Sequence, residues 1–395
     1  MLAMFGFIAV VILIYLGMQY YVAFWLLRSF PSLPLSPQAA RITVLILALS
    51  FPFSMYCLRH FRGAWTAAFA YLSFIWLGWV LIWLASAACG DLVLLAARLR
   101  EASEAWRPWV SGAVLIAVAA GGVWSLYDAG RMPRLREVEV RLPNLPGELD
   151  GSTVVQLSDL HLGVTVPLGK FARIVSQVSA LDPDLVVLTG DILDAGLNDE
   201  AGFAAIGSGL RARLGVFAVL GNHEFYHGIE TSAKAFRSMG ARLLRNEVVE
   251  LPGGLQVAAV DDIRTAGISA SELASLLAKL DPAKPSLLLS HQPLLFDAAA
   301  RAGAGLMLSG HTHQGQIFPF GFIVRLFYPR FHGLYRNGAS SLYVTSGTGQ
   351  WGPPMRLFTR AEIVRFTLRR ERQPEGTNPN RLHKSKARTR AATAE

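Results

Sequence analysis

The stretch Leu2 to Leu27, LAMFGFIAVVILIYLGMQYYVAFWLL, carries no charged side chain. About 20 apolar residues in a helix suffice to cross the hydrocarbon core of a bilayer, and this stretch is longer. A secretory signal has a shorter apolar region and a small-residue cleavage site, and neither is evident here. Three more apolar blocks follow. One runs from about Ile42 to Leu58, with Pro52 expected to kink it. Another runs from Ala64 to Ala88 and passes Asp91 into LVLLAARLR, a segment expected to lie along the interface. The last runs from Pro108 to Tyr127. Trp and Tyr sit near several block ends, where an aromatic belt would put them. Only 16% of the chain is charged, against about a quarter in ordinary soluble proteins. Residues 1–130 therefore read as a transmembrane region of about four helices; a helical domain buried in protein fits these lengths less well.

Four crossings put both ends of the chain on one side. Arg59, Arg62 and the segment RMPRLREVEVR share that side, and Arg28, Arg41, Arg98, Arg100 and Arg107 lie opposite. The positive-inside rule then leans slightly to a cytoplasmic soluble part in a multi-pass protein of the cell membrane. The two cysteines, Cys57 and Cys89, fall in or beside apolar blocks, so neither a disulfide framework nor a thiolate zinc site is expected. Residues 371–395, with RLHKSKARTR at 381–390, read as a basic disordered tail. The net charge of +9 suits a membrane surface and an anionic substrate alike.

Residues 131–150 read as a juxtamembrane linker and a first strand, VEVRLP, and residues 151–370 as one α/β domain. Apolar runs alternate there with amphipathic stretches, Gly169 to Leu181, Asp199 to Leu214, Thr231 to Met239, SASELASLLAKL and Leu294 to Ala302. Five of the runs stop in a polar cluster: SDLH, GDILD, GNHE, SHQP and SGHTH. Ligands of open α/β sheets gather beyond the carboxyl ends of strands, so five strands of one sheet are expected to deliver these clusters to one place. Ser158, Gly190, Gly221, Ser290 and Gly310 precede the polar residues and permit sharp turns and close approach.

Together the clusters offer Asp159, His161, Asp191, Asp194, Asn222, His223, Glu224, His291, His311 and His313. Oxygen and imidazole donors without thiolate suit Mn, Fe, Zn or Ni. The donors are too many for one ion and fit two divalent ions sharing a carboxylate, the arrangement that clamps attacking and leaving oxygens in phosphoryl transfer. Two dications offset by two aspartates leave a positive site, which draws phosphate and acidifies bound water.

The ordered pieces DLH, GDILD, GNHE, SHQP and GHTH resemble the calcineurin-like metallophosphoesterase superfamily, whose pattern is D-x-H, G-D-x-x-D, G-N-H-[DE], H, G-H-x-H. The resemblance spans roughly Val154 to Leu368 and looks closest to a bacterial branch joined to membrane segments, including YVTSGTGQWGPPMRL. It implies a four-layer α/β/β/α sandwich and a dinuclear metal-dependent phosphoesterase. Asp159, His161 and His313 would hold one ion, Asp191 would bridge, and Asn222, His291 and His311 would complete the other. A hydroxide between the ions would attack, His223 would protonate the leaving oxygen, and Asp194 would orient His223. Glu224 is expected only to hold its loop, and His311 and His313 to sit on a tight turn that faces each to a different ion.

The substrate is a phosphodiester, a phosphomonoester or a pyrophosphate. Phosphoprotein phosphatases of the superfamily carry arginines where this chain has Ala195 and Leu220, which speaks against that class. Gly315 to Gly338 mixes aromatics with Arg325, Arg330 and Arg336. It can lie on the bilayer and admit a lipid-linked phosphoester, or pack on the helices or the core. His332 within it is a candidate substrate contact. A catalytically weak membrane scaffold or sensor is one alternative. A nuclease is the other, disfavoured because basic clusters interleaved with stacking aromatics are nearly absent.

Overall fold

The structure, a computed structural model, describes residues 2–32, 36–61, 63–194 and 196–371. The expected basic tail, Arg62 and Ala195 lie outside the described residues. Four helices come first: α1 (Leu2–Ser29), α2 (Pro37–His60), α3 (Ala64–Arg98) and α4 (Ser103–Gly130). Each is long and apolar enough to cross a bilayer. Their outward side chains include Leu13, Leu72 and Ile116, each more than three-fifths exposed. Apolar surface on that scale is stable in lipid and not in water. Polar groups between the helices pair off: Tyr21 donates to Asp91, which also pairs with Arg28, and Trp76 Nε1 donates to Gln19 Oε1 at 3.0 Å. Past Asp91, which pairs with Arg28, α3 runs on as one helix to Arg98. Pro52 lies inside α2, which continues through it.

The remainder alternates strands and helices in the order β1 (Arg134–Leu142), β2 (Thr153–Leu157), α5 (Leu168–Ser179), β3 (Leu185–Thr189), α6 (Glu200–Gly207), β4 (Val216–Val219), α7 (Asn222–His227), α8 (Ile229–Ser238) and β5 (Arg242–Leu243). It continues with β6 (Glu247–Glu250), β7 (Gln256–Ala259), α9 (Ala270–Leu277), β8 (Ser286–Leu289), α10 (Phe296–Arg301), β9 (Leu306–Ser309), α11 (Gly321–Phe327), β10 (Gly333–Asn337), β11 (Ser340–Val344) and β12 (Glu362–Arg370). The helix expected over 199–214 ends at Gly207, where Gly207 and Gly209 flank Ser208.

Five strands of a single sheet do not deliver the polar clusters. There are two six-stranded sheets, ordered β1-β12-β2-β3-β4-β5 and β10-β11-β9-β8-β7-β6. SDLH, GDILD and GNHE leave β2, β3 and β4 of the first, and SHQP and SGHTH leave β8 and β9 of the second. Apart from the antiparallel pairing of β2 with β12, these strands run parallel to their neighbours within each sheet, and they are buried throughout or nearly so, which explains their unbroken apolar runs. Side chains such as Val154, Val187 and Phe217 meet Val257, Leu289 and Leu308 between the sheets. Phe171, Phe203 and Phe236 pack from α5, α6 and α8 on the outside of one sheet, and Leu273, Leu277 and Phe296 from α9 and α10 on the outside of the other. The result is an α/β/β/α sandwich with the two sets of strand ends meeting at one edge.

That edge rests on the flank of the membrane helices. Gly78 of α3 packs on Pro353 and Met355 so closely that a Cβ would collide with both. It lies 14 residues (78 − 64) beyond the start of α3, about 21 Å along the helix. Ile82, Ile317, Met355 and Leu357 form a small shared core. At the end of α4 the buried Lys170 donates to Ala129 O at 2.6 Å, and Arg356 N donates to Ser125 O at 2.9 Å.

Candidate metal centre

Each cluster turns its polar residues inward through unusual backbone. Asp159, His161, Asp191, His311 and His313 all have positive φ, between 48° and 70°. Asp and His tolerate this left-handed region better than most residues, and such conformations persist only where the surroundings hold them. Gly190 and Gly310 make the crowding possible: a Cβ on Gly190 would meet the Gly221 backbone and His291, and one on Gly310 would meet Asp159 and Ser158. Beneath, the buried Glu224 carboxylate accepts from the backbone N–H groups of Asp191, Ile192, Leu193 and Gly221 at 2.8–3.0 Å, tying the β3 and β4 turns together. This is the loop-holding role expected of it.

Three sets of side chains lie close enough to hold a metal ion among the described residues: Asp159, His161 and His313; Asp191, His291 and His311; and His161, Asp194 and His223. In the first, His161 Nε2 and His313 Nε2 are 3.1 Å apart, and His313 Nε2 is 3.4 Å from Asp159 Oδ1. In the second, His291 Nε2 is 3.1 Å from Asp191 Oδ2 and 3.2 Å from His311 Nδ1. Asp191 Oδ2 also lies 3.8 Å from His161 Nε2, so it faces both sets. Ligand bonds of about 2.0–2.1 Å put neighbouring donors roughly 3.0–3.4 Å apart, which matches the closer spacings. His311 and His313, two residues apart, thus serve different sets, as the expected tight turn requires.

Hydrogen-bond accounting points the same way. His291 Nδ1 donates to Thr189 O at 2.9 Å, which leaves Nε2 turned to Asp191. Tyr328 OH donates to Gln292 Oε1 at 2.9 Å and so accepts from His311 Nε2 at 2.8 Å, leaving Nδ1 as the donor atom. Gln292 in turn donates to the buried Asp262. Meanwhile Asp159 Oδ2, Asn222 Oδ1 and His313 Nδ1 are buried without a hydrogen-bond partner. Buried lone pairs left unmatched are costly, and a cation would satisfy the two oxygens. The residues therefore fit a pair of divalent ions.

The electrostatics divide the imidazoles. Burial, with His291 nearby, pushes His311 down to about 3, and burial with His161 pushes His313 well below its usual value, so both stay neutral, as ligands must. Burial raises the Asp159 carboxyl and the Asp191 charge adds to it, a repulsion that a cation would relieve. Burial would also raise Asp191, but His291 beside it holds its carboxyl well below the usual range. His223 behaves differently. Burial disfavours its charge, yet the Asp194 hydrogen bond and the Asp191 and Asp194 charges raise it to about 9. Its Nδ1 is 3.2 Å from Asp194 Oδ1. Its carboxylate neighbours thus favour the charged form of His223, as Asp191 does for His291, whereas His311 and His313 are held neutral.

Sequence reasoning missed Tyr328, Gln292 and Asp262, whose spacing carries no motif, and Arg264, whose guanidinium lies 5.2 Å over the Tyr328 ring. His332 does not join the cluster; its Nε2 is 3.5 Å from Glu362. The segment 315–338 divides: Ile317, Tyr328 and Phe331 are buried, while Phe322, Leu326 and Phe327 of α11 are more than half exposed. Removing the Tyr328 hydroxyl with Tyr328→Phe is expected to weaken metal affinity about 10–100-fold, the usual cost of losing a ligand's orienting partner. Titration of the metal-stripped protein with Mn or Zn measures it, and unchanged affinity would refute the orienting role.

A family model described as calcineurin-like phosphoesterase matches residues 152–315. A transmembrane protein with metallophosphoesterase domain from Danio rerio is 33% identical over 365 residues, covering 87% of this chain and 83% of the relative. An uncharacterised metallophosphoesterase of Campylobacter jejuni is 37% identical over 252 residues, covering 62% of this chain and 66% of that protein. A second transmembrane protein with metallophosphoesterase domain, from Bos taurus, is 34% identical over 307 residues, covering 73% of this chain and 67% of the relative.

Proposed function

This chain belongs to the calcineurin-like phosphoesterase family, and we propose that it is a membrane-anchored hydrolase of a phosphodiester, phosphomonoester or pyrophosphate that works with two divalent ions. The observation that carries the reading is the pair of buried donor sets facing Asp191 from two sheets, with unpartnered lone pairs among them. Asp159, His161 and His313 would hold one ion and Asn222, His291 and His311 the other, with Asp191 available to both. When bound, the ions supply charge neutralisation of the phosphoryl group and a water acidic enough to react near neutral pH.

The protein's own groups do the rest. Neutral His311 and His313 leave the site's positive charge undiminished for an anionic substrate. As the water oxygen bonds to phosphorus, the P–O ester bond breaks and His223 gives its proton to the departing oxygen. His223 is reprotonated from water. Asp194 fixes the imidazole by its Nδ1, which turns Nε2 away from the carboxylate and toward the leaving group.

The test is hydrolysis of bis-p-nitrophenyl phosphate and p-nitrophenyl phosphate by the full chain in detergent, stripped with chelator and reloaded with Mn, Fe, Ni or Zn. Metal-restored turnover supports the reading; none with any metal, despite bound ions, favours a scaffold. Asp194→Asn is expected to move the alkaline limb of kcat to lower pH. Asp194 raises His223, so without it the acid form is lost earlier as pH rises. An unmoved limb would sink that role. The arginine balance favours a cytoplasmic α/β body; a green fluorescent protein fused after the chain should then fluoresce, and a periplasm-active phosphatase fused there should be silent.

A further inference from the structure

The metal-ligand cluster opens into a cavity that reaches the membrane helices. One cavity of about 540 Å³ starts at His161, Asp191, His223 and His313 and continues to the flanks of α1 and α3. Ligand sites typically measure about 300–1,000 Å³, so it is large enough to hold more than a phosphate. Its far wall is apolar: Val11, Ile14 and Met18 of α1, Leu77 and Leu81 of α3, and Phe320 beside α11. Val11 and Ile14 are about half exposed, 48% and 58%, on a helix fit to cross a bilayer. The groove is therefore open on the side where lipid stands. Half-exposed Trp351 also lines it, and α11, which follows Phe320, exposes Phe322, Leu326 and Phe327.

Building on the hydrolase reading, we propose that the substrate is a lipid-borne phosphoester, with its acyl chain along the groove between α1 and α3 and its phosphate among the metal ligands. Three observations carry this. The groove is continuous with the site, so a molecule reaching the donors from this side must be apolar behind its phosphate. Two of its walls are helices whose other faces require lipid, so acyl chains are the solvent already at its mouth. The α/β body meets α3 about 21 Å along that helix, which sets the site beside the apolar span. A single chain with a polar end matches this wall, apolar for most of its length and charged only at the metal cluster.

The probes are two phosphodiesters with the same leaving group, p-nitrophenyl hexadecyl phosphate and p-nitrophenyl ethyl phosphate, given to the metal-loaded full chain in detergent. Wild-type kcat/KM is expected to be at least tenfold higher for the hexadecyl ester. Ile14→Trp and Leu81→Trp, which fill the groove away from the ligands, should abolish that preference while leaving the ethyl ester within about twofold. Equal rates for the two esters in the wild type, or a preference that survives both tryptophans, would overturn the proposal. A second readout needs no turnover. Hexadecyl phosphate bearing a diazirine in mid-chain, in lipid nanodiscs, should label residues 11–18 and 77–81 and lose that labelling in the tryptophan variants. Labelling spread evenly over the outer faces of all four helices would refute it. If neither ester is hydrolysed yet the labelling is focused, the hydrolase reading fails and the groove stands.

Discussion

Asp191→Asn should lower metal-supported hydrolysis of bis-p-nitrophenyl phosphate by more than about 100-fold, because the loss of a mere orienting partner already costs roughly 10–100-fold. The substitution keeps shape and removes one charge. Asp191 Oδ1 accepts from His223 N at 2.8 Å, and an amide oxygen can still do so, so the β3 turn is expected to persist. What is lost is the carboxylate that faces His291 at 3.1 Å and His161 at 3.8 Å. Elemental analysis should find fewer ions per chain than in the wild type. Added Mn should raise the thermal midpoint of the wild type and not of the variant, since a ligand stabilises only the state that binds it. Full metal content with full activity would remove Asp191 from the centre.

His223→Asn is expected to reduce kcat by about 10²–10⁴-fold on an ester with a poor leaving group such as phenol, the range of general acid catalysis. The loss should shrink on p-nitrophenyl esters, whose leaving oxygen departs without a proton. Metal content should not change. That point separates two readings of one geometry, because His223 also lies with His161 and Asp194 in a third set close enough to hold an ion. A variant that loses an ion would make His223 a ligand. A loss equal for both leaving groups would deny it the proton. Its elevated value, about 9, and the Asp194 hydrogen bond favour the acid.

Much of this molecule was legible in its sequence because the signals are local. A long apolar stretch needs no tertiary context to be read, and four helices long and apolar enough to cross a bilayer stand in the structure. The ends of β2, β3, β4, β8 and β9 were visible as apolar runs broken by Asp, His and Asn, since strands buried on both faces must be apolar and a polar ligand can only follow them. Glu224 was legible as a loop holder, though not the four backbone N–H groups it gathers.

Other features depend on contacts between residues far apart in the chain. That the five runs belong to two sheets is decided by side chains such as Val187 and Leu289 meeting between them. No periodicity in either strand records its partner. The hydrogen-bond chain from His311 through Tyr328 and Gln292 to Asp262 joins four loops that have no shared spacing. The groove needs α1, α3 and the turns after β9 and β11 together, and it exists because Gly78 lets Met355 approach the flank of α3. The sequence by itself determined the set of donor residues and the four apolar spans, because ligand chemistry and apolar length are properties of short segments. Only the tertiary structure decided that the donor cluster opens toward α1 and α3, because that surface is assembled from segments that packing alone brings together.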